Sequence, residues 1–416
     1  MSTLDTLRNH VRQEFESYVN NHIPIRIIQC DDTRRLKLVG RREVREYFQR
    51  HLDQLELGEP AGAELHAQRA HVKDLVRKTV RYAILSHRWS DHEVTFHDFG
   101  RIWFFKPAGW TKVARFCAEA ARQGMRFAWI DTCCIDKASS AELDESIRSM
   151  FKWYRNSALC IIHLSQTASL DDMAGDDWFR RGWTLQELLA PEKVQFFNRS
   201  WDRKSDKSQD DERRVTDIAL CVASEVTGIP LEDLERFHPS PRYVDKRMKW
   251  AANREVTRVE DVAYSLMGIF NVSISAAYGE GFDRAFCRLV EAIMISGGDP
   301  SILNWAGHSA QHFTTRCMPA SPASYLNQPK IHPSAYGLQA DMALTSKGLR
   351  HSIVIIPLIL SKVREGGYTF SFTNGSLPMV ELNVKLLENI GLRSIRVMRS
   401  YAFGATIYTL TKDPHS

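Results

Sequence analysis

The segment DDWFRRGWTLQELLAP at residues 176–191 has the pattern of one helix with defined ends. Asp176 or Asp177 can accept a hydrogen bond from the free N–H groups of the first turn. Pro191 lacks the backbone N–H that a further turn needs, so it ends the helix. Because short apolar runs precede and follow the segment, it is predicted to connect two strands of one sheet.

The same helix combines an apolar face with a carboxylate. Phe179, Trp183 and Glu187 recur every fourth residue, so they would lie near one line along the helix. Burial beside Trp183 would raise the pKa of Glu187, whereas a nearby Arg180 or Arg181 would lower it. Two interpretations follow, because Glu187 is either half of a structural ion pair or a functional carboxylate.

Four short apolar runs bounded by polar residues have the pattern of buried strands. They are YAILS at residues 82–86, FAWI at 127–130, LCIIHL at 159–164 and VQFF at 194–197. Segments with helical periodicity lie between them, so strand and helix alternate along the chain. This alternation predicts a parallel sheet flanked by helices, with the functional residues on the loops that follow the strands.

The whole chain is predicted to form four segments. These are a mainly helical extension over residues 1–80, an α/β domain over 81–215, a helical segment over 216–300 that packs on this domain, and a small β-rich module over 301–416. Helical periodicity at 259–270 and 282–295 supports the third segment. Short β-like runs between residues 353 and 410 support the C-terminal module.

Composition narrows the class of protein. The chain has 416 residues with a net charge of +5, and its basic residues are spread along it, so nucleic acid is not an expected partner. The polar N-terminus predicts no signal peptide, and no apolar run is long enough to span a membrane. The eight cysteines lack CxxC pairs, which favours reduced thiols in a cytoplasmic protein without a metal site.

The loops after the predicted strands, together with the helix at 176–191, carry one cluster of polar and aromatic residues. Its members are Ser86, His87, Arg88, Trp89, Asp131 and Glu187. A guanidinium binds phosphate oxygens and an indole stacks on planar rings, so the cluster suits a phosphate-bearing aromatic ligand such as a nucleotide. The alternative is a purely structural ion pair between Arg88 and Asp131.

Four sequence blocks carry a resemblance to a known family. They are YAILSHRW at residues 82–89, WIDTCCIDK at 129–137, SMFKWYRNSALCIIHLS at 149–165 and WFRRGWTLQELLAP at 178–191. In order and spacing they resemble the fungal heterokaryon-incompatibility (HET) domain, and the resemblance covers roughly residues 81–305. The chain departs from the usual pattern at His87-Arg88-Trp89-Ser90, and Lys137 stands where Gln is frequent.

HET domains are in turn similar to Toll/interleukin-1 receptor (TIR) domains, so the resemblance implies a TIR-like, flavodoxin-like parallel sheet. Trp183-Thr-Leu-Gln-Glu187 matches the Trp-x-x-x-Glu pattern of NAD-cleaving TIR enzymes, which implies that Glu187 is the catalytic carboxylate. The resemblance also implies that Ser86, His87 and Arg88 line the nucleotide site. Trp89, Asp131 and Trp183 complete the predicted substrate-binding set.

The resemblance implies a function in fungal non-self recognition and cell death. The expected reaction is hydrolysis of NAD, a substrate and not a bound cofactor, to nicotinamide and ADP-ribose or a cyclic form. The expected assembly is a homo-oligomer, since TIR-like enzymes complete their sites between protomers. Other TIR domains are adaptors, so the alternative is a non-enzymatic module that triggers cell death by recruiting partners.

Overall fold

The structure of the chain is a computed structural model. It describes residues 3–52, 65–99, 107–203, 218–310 and 318–327, together with short backbone strands between residues 342 and 409. The chain divides into two compact units. The first contains Met1–Pro239 and Asn253–Ala285, and the second contains Ser240–Ala252 and Phe286–Ser416.

The first unit is built on a six-stranded sheet. Its strands are β1 (Arg26–Gln29), β2 (Lys37–Gly40), β3 (Tyr82–His87), β4 (Phe127–Trp129), β5 (Leu159–His163) and β6 (Val194–Phe197). They lie in the order β2-β1-β4-β3-β5-β6, and the four strands from β4 to β6 in this order are parallel. The predicted α/β class with a parallel sheet is therefore confirmed. The N-terminal pair β1 and β2, within the range predicted as a mainly helical extension, adds an antiparallel edge to the sheet.

Helices connect and flank the strands in the part of the chain that the structure describes. In chain order they are α1 (Thr3–Asn21), α2 (Arg41–Leu52), α3 (Leu65–Thr79), α4 (Pro107–Arg122), α5 (Ser140–Asn156), α6 (Thr184–Leu189), α7 (Ile218–Thr227), α8 (Leu231–Glu235), α9 (Val244–Ala251), α10 (Asp261–Tyr264), α11 (Met267–Phe270) and α12 (Phe282–Gly297). Among these described residues, no helix is long and apolar enough to cross a membrane.

The central strands form where the sequence is continuously apolar. Every residue of β3 and of β5 is buried, as expected for strands of a parallel sheet that is covered on both faces. The two strands are in register, with Ile84 opposite Cys160 and Ser86 opposite Ile162. Ser86 therefore lies near the carboxyl end of β3, at the edge where functional residues were expected.

Helix ends follow local rules in two places, at the end of α4 and at the start of α5. Gly124 adopts a φ of +75° just after α4, a conformation that favours glycine and ends the helix. Ser139 caps α5, since its hydroxyl accepts a hydrogen bond from the backbone N–H of Glu142 at 3.3 Å. Both ends are determined by residues within a few positions of the helix.

The prediction of one helix over residues 176–191 is wrong. A 3-10 turn at Asp177–Arg180, capped by Asp176, is followed by a break and then by the six-residue helix α6. The N–H of Gly182 donates to the Glu255 carbonyl at 2.7 Å, and the N–H of Glu255 donates to the Arg180 carbonyl at 2.6 Å. These backbone groups pair with a distant segment instead of within a helix, so the helix is interrupted.

A second predicted helix, over residues 259–270, is also divided. Two single-turn helices, α10 and α11, occupy this range. Gly268 of α11 lies directly against α5, because a Cβ added at this glycine would come within 2.1 Å of Phe151 Cβ. The absence of a side chain thus permits a close approach that a longer residue would prevent.

The second unit has polar contacts around α9. The carboxylate of Asp299 accepts from the backbone N–H of Tyr243 at 2.7 Å, and the Asn304 amide donates to Asp245 at 2.8 Å. Tyr243 just before α9 adopts a φ of 56°, and the Asp299 contact holds its backbone N–H. Both hydrogen bonds lie within the second unit.

Short strands follow in the C-terminal part of the second unit. They are β7 (Met342–Thr345), β8 (Gly348–His351), β9 (Val354–Ile355), β10 (Ile359–Arg364), β11 (Gly367–Phe372), β12 (Val380–Val384), β13 (Arg396–Arg399) and β14 (Thr406–Thr409). The pairs that these described strands form are antiparallel. A C-terminal β-rich module over 301–416 stays a prediction, as do the other predicted segment boundaries.

Candidate functional site

A cleft of about 440 Å3 opens in the first unit, next to the residues that follow β3 and β4. Its volume lies within the range of small-molecule sites in proteins. Basic and acidic side chains both line it: Arg88, Lys137, Arg180, Arg181 and Arg258, and Asp131, Asp177, Glu187, Glu255 and Asp261. Such a wall can hold a ligand that carries both anionic and polar groups.

Five of the seven predicted site residues reach this cleft. They are Arg88, Trp89, Asp131, Trp183 and Glu187. The other two, Ser86 and His87, are buried and do not line it. The expected edge of the sheet therefore does gather most of the predicted set, while Ser86 and His87 act on the cleft only through their neighbours.

Glu187 is a buried carboxyl on α6 that meets the strand β3. Ser86 Oγ donates a hydrogen bond to Glu187 Oε2 at 2.5 Å, and Trp178 Nε1 donates to Ser86 Oγ at 2.8 Å. Burial, assisted by the charge of Asp131, raises the pKa of Glu187 to about 8, against the opposing effects of Ser86, Arg181 and Tyr154. The free cleft therefore holds a mainly protonated Glu187 at neutral pH.

A half-buried arginine, Arg254, which no sequence pattern indicated, supports the same helix. Arg254 donates to the carbonyl of Arg181 at 2.9 Å and to Thr184 Oγ1 at 3.0 Å, so it holds the start of α6. Burial lowers the pKa of Arg254 to about 10, and the charge of Glu187 acts in the opposite direction. No motif surrounds this residue, so its position became evident only in the folded chain.

Trp89 is the exposed aromatic residue of the cleft, with 43% of its surface accessible. Its Nε1 donates to Asp131 Oδ2 at 2.8 Å. Lys137 Nζ lies 3.6 Å from the centroid of the Trp89 ring, and the guanidinium carbon of Arg181 lies 4.8 Å from it. Two cations therefore already occupy positions over the indole that a planar ligand ring would contact.

Arg88 forms a surface ion pair, but its partner is not the predicted Asp131. Its Nη1 lies 2.5 Å from Asp177 Oδ2, which also accepts from Gln166 Nε2 at 2.9 Å. Asp131 is instead the acceptor for Trp89. The alternative of an Arg88–Asp131 pair is therefore wrong, because Asp177 offers the nearer carboxylate.

His87 belongs to a buried polar group behind the cleft wall. Its Nε2 lies 3.4 Å from Glu93 Oε2, and Lys112 pairs with the same carboxylate. Burial opposes ionisation of Glu93, but His87 and Lys112 outweigh it and hold the pKa of Glu93 below its ordinary value. The side chain of His87 is thus directed to Glu93 and is not part of the cleft surface.

A third carboxylate, Asp261, was also missed. Trp183 Nε1 donates to Asp261 Oδ2 at 3.0 Å, and the Tyr278 hydroxyl donates to Asp261 Oδ1 at 2.9 Å. Burial raises the pKa of Asp261, and the two hydrogen bonds act in the opposite direction. Asp261 lies in the segment RVEDVAYSLMGIF, which was a signal available in the sequence.

These features define an α/β protein whose parallel strands end at one polar cleft. Residues 82–175 match the family model of the heterokaryon incompatibility protein (HET). The resemblance to the heterokaryon-incompatibility (HET) domain is therefore confirmed over this range, which contains the first three of the four sequence blocks.

One curated relative extends this similarity. The chain is 45% identical over 226 residues to the vegetative incompatibility protein HET-E-1 of Podospora anserina. The match covers 51% of this chain but only 16% of the relative, so the chain spans a minor part of that protein's length. No solved structure matches the chain.

Proposed function

We propose that this chain acts in vegetative incompatibility, the process named in its fungal relative, by hydrolysing NAD in the cleft. The observation that carries this proposal is the position of Glu187, whose carboxyl has a pKa raised to about 8 and lines the cleft. Perturbed carboxyl groups in clefts are common at catalytic sites. The pattern Trp183-x-x-x-Glu187 is the one that NAD-cleaving TIR enzymes carry.

The order of the parallel strands supports a TIR-like relationship. Counted along the chain, β3, β4, β5 and β6 are the first to the fourth parallel strands, and they lie in the order second, first, third, fourth. Flavodoxin-like sheets have this order, and their ligands bind beyond the carboxyl ends of the strands. The cleft residues Arg88, Trp89 and Asp131 follow β3 and β4 at those ends.

The proposed reaction breaks the bond between the nicotinamide nitrogen and ribose C1′. The bonding electrons leave with nicotinamide, which is cationic in NAD, so no general acid is needed to expel it. Water then forms the new bond to C1′ and releases a proton, giving ADP-ribose; attack by an adenine nitrogen instead would give a cyclic product. The ribose passes through an oxocarbenium-like state, and an ionised Glu187 stabilises its positive charge.

The raised pKa of Glu187 fits this use of the carboxylate. Its protonated form avoids an uncompensated charge in the empty cleft, while a cationic nicotinamide favours the ionised form when NAD is bound. Trp183 is a second candidate residue for contact with NAD. Its indole lines the cleft, and the indole N–H donates a hydrogen bond to Asp261. The ring face of Trp183 then remains for an apolar contact with the ligand.

The proposal is tested by incubating the purified full chain with NAD and measuring nicotinamide by chromatography. Glu187→Gln keeps the size of the side chain but removes the charge, so it should lower turnover by about a hundredfold or more. Glu235→Gln, at an exposed glutamate of α8, is the matched control. Normal nicotinamide release by Glu187→Gln would contradict the catalytic assignment.

A second candidate function is a non-enzymatic module that triggers cell death by recruiting partners. The observation that favours it is the burial of Glu187, which is 5% exposed and already bonded to Ser86. On this interpretation the Glu187 carboxyl has only a structural function, as the hydrogen-bond partner that links α6 to β3. A folded wild-type chain that releases no nicotinamide from NAD, yet still triggers cell death, would select this function.

We also propose that the chain forms a homo-oligomer in the cytoplasm, as TIR-like enzymes do. Sedimentation at several protein concentrations, combined with the nicotinamide assay on each species, tests this assembly. A strictly monomeric species with full activity would exclude a site completed between protomers.

A further inference from the structure

Basic side chains without an ion pair remain in the cleft, beside the carboxyl groups that also line it. Of its five basic side chains, Arg88 is paired with Asp177 at 2.5 Å. Neither Lys137 nor Arg181 has a carboxylate within 4.0 Å in the part of the chain that the structure describes. Lys137 and Arg181 are therefore better placed than Arg88 to receive an anion.

Trp89 holds these two cations at one place. The ammonium of Lys137 and the guanidinium of Arg181 lie 3.6 and 4.8 Å from the centroid of the same ring. The indole is itself fixed, because its Nε1 donates to Asp131. A cation–π contact orients a charged group but leaves most of its hydrogen-bond donors for another partner.

The ammonium of Lys137 has lost hydration and lies beside a second cation, the guanidinium of Arg181, which repels it. The cleft walls remove part of the hydration of its ammonium and lower the pKa of Lys137; Asp131 opposes this shift and Arg181 adds to it. The Lys137 residue is nevertheless exposed, and it lines the concave cleft. An anion that contacts both groups would relieve the repulsion and replace the lost hydration.

We propose that Lys137 and Arg181, oriented by Trp89, form a phosphate-binding subsite that takes the diphosphate of a dinucleotide. This inference rests on the proposed function, since it places the diphosphate of NAD in the same cleft as Glu187. An ammonium offers three donors and a guanidinium five, which suits the several oxygens of a diphosphate. Arg88 keeps its ion pair with Asp177 and forms mainly part of the rim of the cleft.

The direct test is calorimetric titration of the full chain with ADP-ribose and with adenosine, which lacks phosphate. Lys137→Gln and Arg181→Gln should each weaken ADP-ribose binding about tenfold, as expected when a charge-assisted hydrogen bond is lost. Neither substitution should change the affinity for adenosine. Lys137→Arg keeps the charge and should retain most of the affinity for ADP-ribose.

A matched control is available elsewhere in the chain. Lys246 Nζ lies 5.6 Å from the centroid of Trp250, so Lys246→Gln also removes a lysine from a tryptophan ring, but in the second unit. This substitution should leave ADP-ribose binding unchanged. Added salt should weaken ADP-ribose binding to the wild type more steeply than binding to Lys137→Gln. The variant has one cation fewer in the subsite, so salt screens a smaller attraction.

The outcomes separate the subsite from the reaction. If both variants release nicotinamide with an unchanged KM for NAD and bind ADP-ribose with unchanged affinity, the subsite proposal is overturned. The proposed hydrolysis is then still supported. If ADP-ribose binding depends on Lys137 but no nicotinamide is released from NAD, the subsite is supported and the proposed hydrolysis is contradicted. A wild-type chain that binds ADP-ribose no better than adenosine would also overturn the subsite.

Discussion

The hydroxyl of Ser86 donates a 2.5 Å hydrogen bond to the carboxyl of Glu187, a residue 101 positions further along the chain. Ser86 also accepts from Trp178 Nε1, so an indole, a hydroxyl and a carboxyl form one buried line between β3 and α6. The hydrogen bond favours the ionised carboxylate, yet burial has the larger effect and the pKa of Glu187 rises to about 8. The stability of the fold and the protonation state of the cleft therefore both depend on the Glu187 carboxyl.

The first prediction concerns stability against pH. The folded chain retains the Glu187 proton up to about pH 8, whereas the unfolded chain loses it near its ordinary pKa of 4.5. Below the unfolded pKa of 4.5, the protonated Glu187 makes its full contribution to the free energy of unfolding. That contribution is lost as the pH rises through the folded pKa of about 8. With about 1.4 kcal/mol for each pKa unit, the loss is a few kcal/mol.

Glu187→Gln cannot titrate, so its free energy of unfolding should fall less than that of the wild type between about pH 5 and about pH 8. Urea unfolding at the two pH values measures this difference, and Glu235→Gln should behave as the wild type. Equal losses of stability in Glu187→Gln and the wild type would show that folding does not raise the pKa of Glu187.

The second prediction concerns the hydroxyl that contacts Glu187. Ser86→Ala removes a hydrogen bond to the carboxylate, so the pKa of Glu187 should rise further. It also leaves the buried Trp178 N–H without its acceptor, which should cost about 1 to 3 kcal/mol of stability. The pH dependence of urea unfolding separates the two effects, because only the first moves the midpoint of the titration.

Ser146→Ala is the control for this substitution. Ser146 is fully buried, and its hydroxyl has no hydrogen-bond partner among the described residues. Its replacement should therefore leave the pH dependence of stability unchanged. A midpoint that moves equally in both serine variants would contradict a specific effect of Ser86 on Glu187.

The third prediction concerns the proposed reaction. If the ionised Glu187 is needed, kcat/KM for nicotinamide release should rise with pH to a plateau, with a midpoint near the free-chain pKa of about 8. The midpoint of kcat should lie lower, because bound NAD places a positive charge near the carboxylate. A rate that is independent of pH between about 6 and 9 would argue against Glu187 as the titrating group.

The fourth prediction concerns the glycine at which the helix is broken. A Cβ added at Gly182 would lie 2.5 Å from Val256 Cγ1, so Gly182→Ala should push the 255–256 segment away from the cleft wall. Overpacking of this kind costs about 1 to 3 kcal/mol. Gly175→Ala, where nothing lies within 4 Å of the added Cβ, should change stability by only about 0.5 kcal/mol or less. Urea unfolding of both variants compares them, and equal stabilities would mean that Val256 moves at no cost.

Several elements could be predicted from the sequence because their determinants are local. The strands β3 and β5 are continuous apolar runs, and burial of such runs on both faces requires only that helices cover the sheet. The end of α4 is determined by one glycine, Gly124. The presence of Glu187 and Asp131 at one edge follows from the alternation of strand and helix, which brings the carboxyl ends of parallel strands together.

Other features depended on residues that are far apart in the sequence. The helix predicted over 176–191 breaks because Gly182 pairs with Glu255, and helical periodicity within the segment carries no information about that partner. Arg88 pairs with Asp177 and not with Asp131 because distances in the fold, and not spacing in the chain, determine ion pairs.

The chemical state of the cleft was likewise decided by tertiary structure. The sequence by itself determined which carboxylate lies on the helix between β5 and β6, since a short local pattern places Glu187 there. Only the folded chain buries that carboxyl among Ser86, Arg254 and Asp131, and desolvation is a property of all the atoms packed around a group. A pKa near 8, and with it the pH at which the proposed reaction starts, therefore could not be read from adjacent residues.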